Sequence, residues 1–129
     1  MFSLRKETDY AIQFLKLLTK NSRTATSLNE VSEKTGLSFL FLQKIARKLR
    51  LAGIIKAELG VEGGYRLKIP AKKITLKKVI SVIEGGCLLW SCCEKGECKR
   101  LEKCAINKKV RKINSKILKI FEETKLSDL

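Results

Sequence analysis

Apolar side chains recur at Ala11, Phe14, Leu15 and Leu18. This i, i+3, i+4, i+7 stripe predicts an amphipathic helix over residues 9–19. A second, shorter helix follows Ser27-Leu28-Asn29-Glu30. There the serine hydroxyl is placed to cap the first turn and Glu30 to reach back, the capping-box arrangement. Its inward positions are Leu28 and Val31, and it ends at Gly36, a residue suited to the left-handed conformation beyond a helix. Ser38 then stands as the cap of a third helix, whose stripe is Leu42, Ile45, Ala46 and Leu49 and whose end is Gly53. Two helices joined by a short glycine-containing turn match a helix-turn-helix, although a plain helical hairpin has the same pattern.

The pattern changes at residue 54. Residues 54–59 and 65–69 alternate or run apolar like strands, around the glycine-rich stretch Gly60-Val61-Glu62-Gly63-Gly64. Helix, turn, helix and hairpin, in that order, describe a winged helix-turn-helix, with glycines at a wing tip able to come close to a phosphate backbone. Thr75 caps a further helix with Leu76, Val79, Ile80 and Ile83 on one face, ended by Gly85-Gly86. A long helix over residues 105–124 closes the chain. Its apolar residues Ile106, Val110, Ile113, Ile117 and Ile120 are spaced four, three, four, three. That narrow heptad seam calls for a partner helix, most simply the same helix of a second copy. The expected fold is therefore mainly α with a small β-hairpin wing. Residues 1–72 form a winged helix-turn-helix, and 73–129 hold dimerisation helices around a cysteine-rich loop at about 86–104.

Charge narrows the partners. Twenty-eight Lys and Arg against thirteen Asp and Glu leave a formal charge of +15 on 129 residues, a field that favours nucleic acid. No apolar run reaches the roughly 18–20 residues needed to span a bilayer, so no membrane partner is expected. The N-terminal stretch has no export signal, which makes the cytoplasm the expected compartment. On the third helix, Ser38, Leu40, Phe41, Gln43 and Lys44 occupy the end that enters a major groove in such motifs. Gln43 suits adenine and Phe41 a thymine methyl. Arg47 projects away from the core as a further DNA-binding residue, Lys48 and Lys56 are cast as backbone contacts, and Gly63, Gly64 and Tyr65 are contributed by the wing. A solvated lysine-rich face is the plain alternative. An enzyme is not expected: the chain has no histidine, no phosphate-binding glycine motif and no paired acids with a pocket role.

All five cysteines lie within one stretch, at Cys87, Cys92, Cys93, Cys98 and Cys104. Three of them repeat as Cys92-x5-Cys98-x5-Cys104. No Cys-x2-Cys pair of a zinc knuckle occurs, whereas iron–sulfur clusters take thiolates at more varied spacings. Lys95, Lys99, Arg100 and Lys103 nearby favour the thiolate form. An iron–sulfur cluster is thus the leading expectation, with a zinc site or a thiol–disulfide switch as the alternatives. An unregulated basic nucleic-acid-binding module is a further one.

These features together resemble the IscR/NsrR-type winged-helix regulators, the "Rrf-two" family. Thr8-Asp9-Tyr10-Ala11 is similar to the family's opening helix, and Gly36-Leu37-Ser38 through Lys48-Leu49-Arg50-Leu51-Ala52-Gly53 to its recognition helix. Gly60-x-x-Gly63-Gly64-Tyr65 resembles its wing, Val79-Ile80-x-x-Ile83-Glu84-Gly85 the helix before its cysteine loop, and Lys125-Leu126-Ser127-Asp128-Leu129 its C-terminal end. The resemblance implies a homodimeric transcription factor, binding operator DNA under control of a cluster on Cys92, Cys98 and Cys104. The histidine that completes a [2Fe–2S] site in IscR-like members is replaced here by Asn107. Nitric-oxide-sensing members hold a [4Fe–4S] cluster with an aspartate from the partner's first helix. Asp9 takes that place, so [4Fe–4S] is favoured over [2Fe–2S]; Cys87 and Cys93 stay as rival fourth ligands. Two departures concern DNA: Leu59 stands where relatives often carry a wing arginine, and Gln43 replaces the acidic residue of IscR-like recognition helices.

Overall fold

The structure is a computed structural model and describes residues 4–86 and 104–129. Helix α1 (Lys6–Lys20) begins three residues before the expected start, because Arg5 takes the extended N-cap conformation and Glu7 and Asp9 both suit the positive end of the helix. Helix α2 (Leu28–Thr35) is capped by the Ser27 hydroxyl, which accepts the Glu30 amide at 3.2 Å. Only this half of the expected capping box forms, since the Glu30 carboxylate turns instead to Lys34 at 2.8 Å. Gly36 closes α2 at φ 73. Helix α3 (Phe39–Leu51) follows, and its N-cap Ser38 makes no side-chain capping bond, unlike the expectation.

The hairpin pairs β1 (Ile55–Glu58) with β2 (Gly64–Leu67), antiparallel, with Ile55 opposite Leu67 and Glu58 opposite Gly64. Both strands are shorter than the alternation predicts. A backbone bridge between Thr26 and Tyr65 adds a one-residue third strand. After a 3₁₀ turn at Ala71–Lys73, α4 (Leu76–Glu84) is capped by the Thr75 hydroxyl and ends at Gly85. Helix α5 (Asn107–Glu123) precedes a final 3₁₀ turn, Leu126–Asp128.

One core holds these elements together. Phe14 and Leu15 of α1, Val31 of α2, Leu42, Ile45 and Leu49 of α3, and Ile54 and Ile55 at the wing base are fully buried in one cluster. Each contributes on the order of 1.5–3 kcal/mol by leaving water. Val79 and Ile83 of α4, together with Leu126, belong to the same cluster. The chain end is sewn back onto the body: the Leu126 amide donates to the Ile74 carbonyl at 2.8 Å, and Lys16 reaches the Leu129 carbonyl at 2.6 Å. Helix α4 packs against α1, α3 and α5, and α1 also meets α3 directly.

Candidate functional site

Helix α3 buries one stripe and presents another. Leu40, Gln43, Lys44, Arg47 and Leu51 are exposed, and their spacing puts them along one outward face. Leu51 was not anticipated; as an exposed leucine past the core stripe, it is visible in the pattern only once the inward face is known. Phe41 does not share this face. It is half-buried, with its ring edge-on to Tyr10 at 5.6 Å, so it packs the α1–α3 contact. Lys48 also faces sideways. Its ammonium meets Glu7 of α1 at 3.3 Å and donates to the Ile83 carbonyl in the last turn of α4, also at 3.3 Å.

The wing glycines have an internal reason to be glycine. A Cβ on Gly64 would overlap the Thr26 backbone, and Gly64 sits at φ 154. A Cβ on Gly63 would run into the Glu58 carbonyl. These two residues let the hairpin close and dock on the α1–α2 connection, where Thr26 and Tyr65 exchange backbone bonds of 3.0 and 2.8 Å. The Tyr65 ring points inward, edge-on to Phe14 at 6.1 Å. Arg66 braces the wing, donating to Glu58 at 3.1 Å and to the Ser22 carbonyl at 2.9 Å. Lys56 is exposed on β1, and Leu59 and Val61 stand fully in solvent at the tip.

The start of the cysteine loop is tied to the body by Glu84, the last residue of α4. Its carboxylate accepts the Thr8 hydroxyl at 2.6 Å and the Arg5 amide at 2.8 Å, and pairs with the Arg5 guanidinium at 3.3 Å. Burial alone would raise this carboxyl. The Thr8 and Arg5 hydrogen bonds, with the charges of Arg5 and Lys48, outweigh burial and hold it below the ordinary carboxylate range. Glu84 and Lys48 therefore join the start of α1, the end of α4 and the side of α3 in one polar cluster beside Gly85. Sequence reasoning missed this cluster, because residues 5, 7, 8, 48 and 84 carry no common spacing.

Of the candidate ligands, Cys92 and Cys98 lie outside the described residues, as do the rivals Cys87 and Cys93. Cys104 is half-buried just before α5 and carries a free thiol. Asp9 is exposed on α1, accepting a bond from Gln13 at 2.9 Å. Among the described residues, no three His, Cys, Asp or Glu side chains converge into a metal site. Three residues beyond Cys104, Asn107 is buried and its Nδ2 has no hydrogen-bond partner among the described residues.

Helix α5 divides the predicted seam. Val110, Asn107 and Asn114 are buried along one side of α5, and α5 packs against α4. Ile106, Ile113 and Ile120, seven residues apart, stay 63%, 47% and 59% exposed. No helix among the described residues is long and apolar enough to cross a membrane.

A two-stranded wing against a three-helix core, with the second helix of the turn presenting a polar and basic face, defines a winged helix-turn-helix of the DNA-binding kind. Comparison with known proteins places it further. Residues 4–129 match the Rrf2 family model, described as an iron-dependent transcriptional regulator. Protein aau3 of Rhizobium meliloti (strain 1021) is 33% identical over 128 residues, covering 98% of this chain and 83% of that one. The HTH-type transcriptional regulator IscR of Vibrio vulnificus is 28% identical over 121 residues, 93% of this chain and 72% of its own. Among solved structures, CymR, the global cysteine regulator of B. subtilis, superposes with a TM-score of 0.79 at 26% identity, covering 99% and 95% of the two chains. The chain belongs to the Rrf2 family of transcriptional regulators.

Proposed function

We propose that this regulator is a cytoplasmic homodimer and a repressor, whose grip on operator DNA is set by an iron–sulfur cluster reporting redox, nitric oxide or iron–sulfur status. Cys92, Cys98 and Cys104 would hold the cluster, [4Fe–4S] in preference to [2Fe–2S], with Asp9 of a second copy as fourth ligand. Cys104 fits such a role as a free, half-buried thiol. The buried Asn107 amide is a donor without a partner among the described residues, of the kind the sulfurs of a cluster accept. When bound, the cluster supplies a centre that reacts with oxidants and nitric oxide.

The observation that carries the reading is the polar cluster at Glu84. The cysteine loop leaves α4 immediately after it, and the same residue anchors the start of α1, one residue from Asp9 at Thr8. Lys48 fastens α3 to both. A change in how the loop is held thus moves α1 against α4 and acts on the tilt of α3. On DNA, Leu40, Gln43 and Lys44 face base edges, and Ser38 at the N-terminal end of α3 lies beside them. Arg47 and Lys56 meet phosphates, and the wing built on Gly63, Gly64 and Tyr65 lies alongside. Lys48 and Phe41 set the pose of the helix. The exposed Ile106, Ile113 and Ile120 join two copies.

Anaerobic purification followed by visible absorption and iron analysis tests the cluster. Visible charge-transfer bands with about four irons per chain are expected for a [4Fe–4S] centre, and a colourless protein that resists reconstitution overturns it. A second reading, a thiol–disulfide switch, is favoured by the free, half-buried Cys104 thiol and by the likeness to CymR, named for cysteine regulation. Loss of two hydrogens per disulfide by mass spectrometry on mild oxidation, with iron absent, decides for it.

A further inference from the structure

Helix α5 is charged against its own dipole. Its first turn holds no acid and its last turn no base. Six cations, Lys108, Lys109, Arg111, Lys112, Lys116 and Lys119, occupy the first thirteen residues, and the two acids, Glu122 and Glu123, come at the end. Cations at an N-terminus and acids at a C-terminus each oppose the macrodipole. Lys108, Lys112 and Lys116 also stack at four-residue spacing, where like charges repel. Among the described residues none of these three makes an ion pair, and Lys119 reaches only Glu123, at 3.9 Å. The same helix buries Val110 and Asn114, and at helical spacing the exposed lysine row lies on the opposite side, away from the body. An ordinary solvated helix face mixes signs; this one has no acid until its last turn.

We infer that the exposed lysine row of α5 is a second DNA-backbone contact, separate from α3 and the wing, engaging duplex beyond the segment they cover. The row from Lys108 to Lys119 spans about 16 Å at the rise of a helix. That is longer than a small anion or a cluster beside Cys104 would need, and comparable with about five base pairs of backbone. A bilayer surface is the poorer fit, because an interfacial helix turns a broad apolar face to the lipid. In α5 the face opposite the lysines is already buried and carries asparagines. The inference rests on the proposed DNA binding and extends it to a longer footprint.

The test measures binding of random-sequence duplexes of about 15 and 60 base pairs against salt, by fluorescence anisotropy. The full chain is compared with the variant Lys108→Gln, Lys112→Gln, Lys116→Gln, checked for unchanged helicity and dimer mass. Lys116→Gln alone serves as a milder second variant. On the longer duplex the slope of log K against log salt should fall by about 0.9 for each phosphate no longer neutralised, and on the shorter one it should not change. An unchanged slope on the longer duplex, or an equal fall on both, overturns the inference while leaving DNA binding intact. So does loss of binding to phosphatidylserine vesicles with no change on DNA. A wild-type chain that binds neither duplex overturns the DNA-binding reading instead, and this second surface with it.

Discussion

Replacing Glu84 by alanine isolates the polar cluster that joins three helices. The Thr8 hydroxyl is fully buried and donates to the Glu84 carboxylate at 2.6 Å. Removing its acceptor leaves a buried donor unsatisfied and removes a charge-assisted bond, worth about 1.5–3 kcal/mol. The Arg5 guanidinium adds little, because its side chain is largely exposed. Glu84→Ala should therefore cost about 2–3 kcal/mol, and Glu84→Gln, which keeps an acceptor without the charge, about 1 kcal/mol. The midpoint of urea unfolding should shift with little change in slope. In a double-mutant cycle with Thr8→Val, a coupling of at least about 1 kcal/mol is expected. Acid offers a second measurement. The folded carboxyl titrates below its ordinary value of 4.5, so its contribution is complete above that pH. It is lost as pH falls through the lower folded value. The gap between wild type and Glu84→Gln should narrow accordingly on acidification. A cost under about 0.5 kcal/mol for Glu84→Ala, or no coupling to Thr8, would refute the reasoning.

Other perturbations probe separate parts of the fold. Gly64→Ala should destabilise by about 3 kcal/mol or more, through overlap with the Thr26 backbone. Gly85→Ala, where a Cβ meets open space but φ is 81, should cost about 1–2 kcal/mol in thermal or urea unfolding. Equal costs at the two sites would remove the packing argument. Ser27→Ala should lose about 1 kcal/mol with the α2 cap. Ile113→Asp should weaken self-association at least about 100-fold by sedimentation equilibrium, roughly 3 kcal/mol, while the melting of the winged helix is retained. A dimer of unchanged affinity would place the seam elsewhere.

Local pattern by itself was enough for the helices, the Gly36 and Gly53 stops, the wing and the inward stripes of α1, α2 and α3. These depend on periodicity and on glycine's access to positive φ, both carried by near neighbours in the chain. It also exposed the cysteine rhythm, because identical chemistry at regular spacing needs no fold to be noticed. Which way the less periodic side chains point was decided only by packing. Phe41 reads as groove-facing and Tyr65 as part of the wing, yet their rings turn inward to Tyr10 and Phe14, because aromatic rings find their largest burial in the core. Lys48 reads as one more cation on a basic helix until Glu7 and the Ile83 carbonyl arrive beside it from residues 41 and 35 positions away. The heptad of α5 is one seam in sequence and two surfaces in the fold, since Val110 is buried while Ile106, Ile113 and Ile120 stay outside. The polar cluster around Glu84 belongs wholly to the tertiary structure: it is made by residues about 80 positions apart, and only chain closure through the shared core brings them within hydrogen-bond distance.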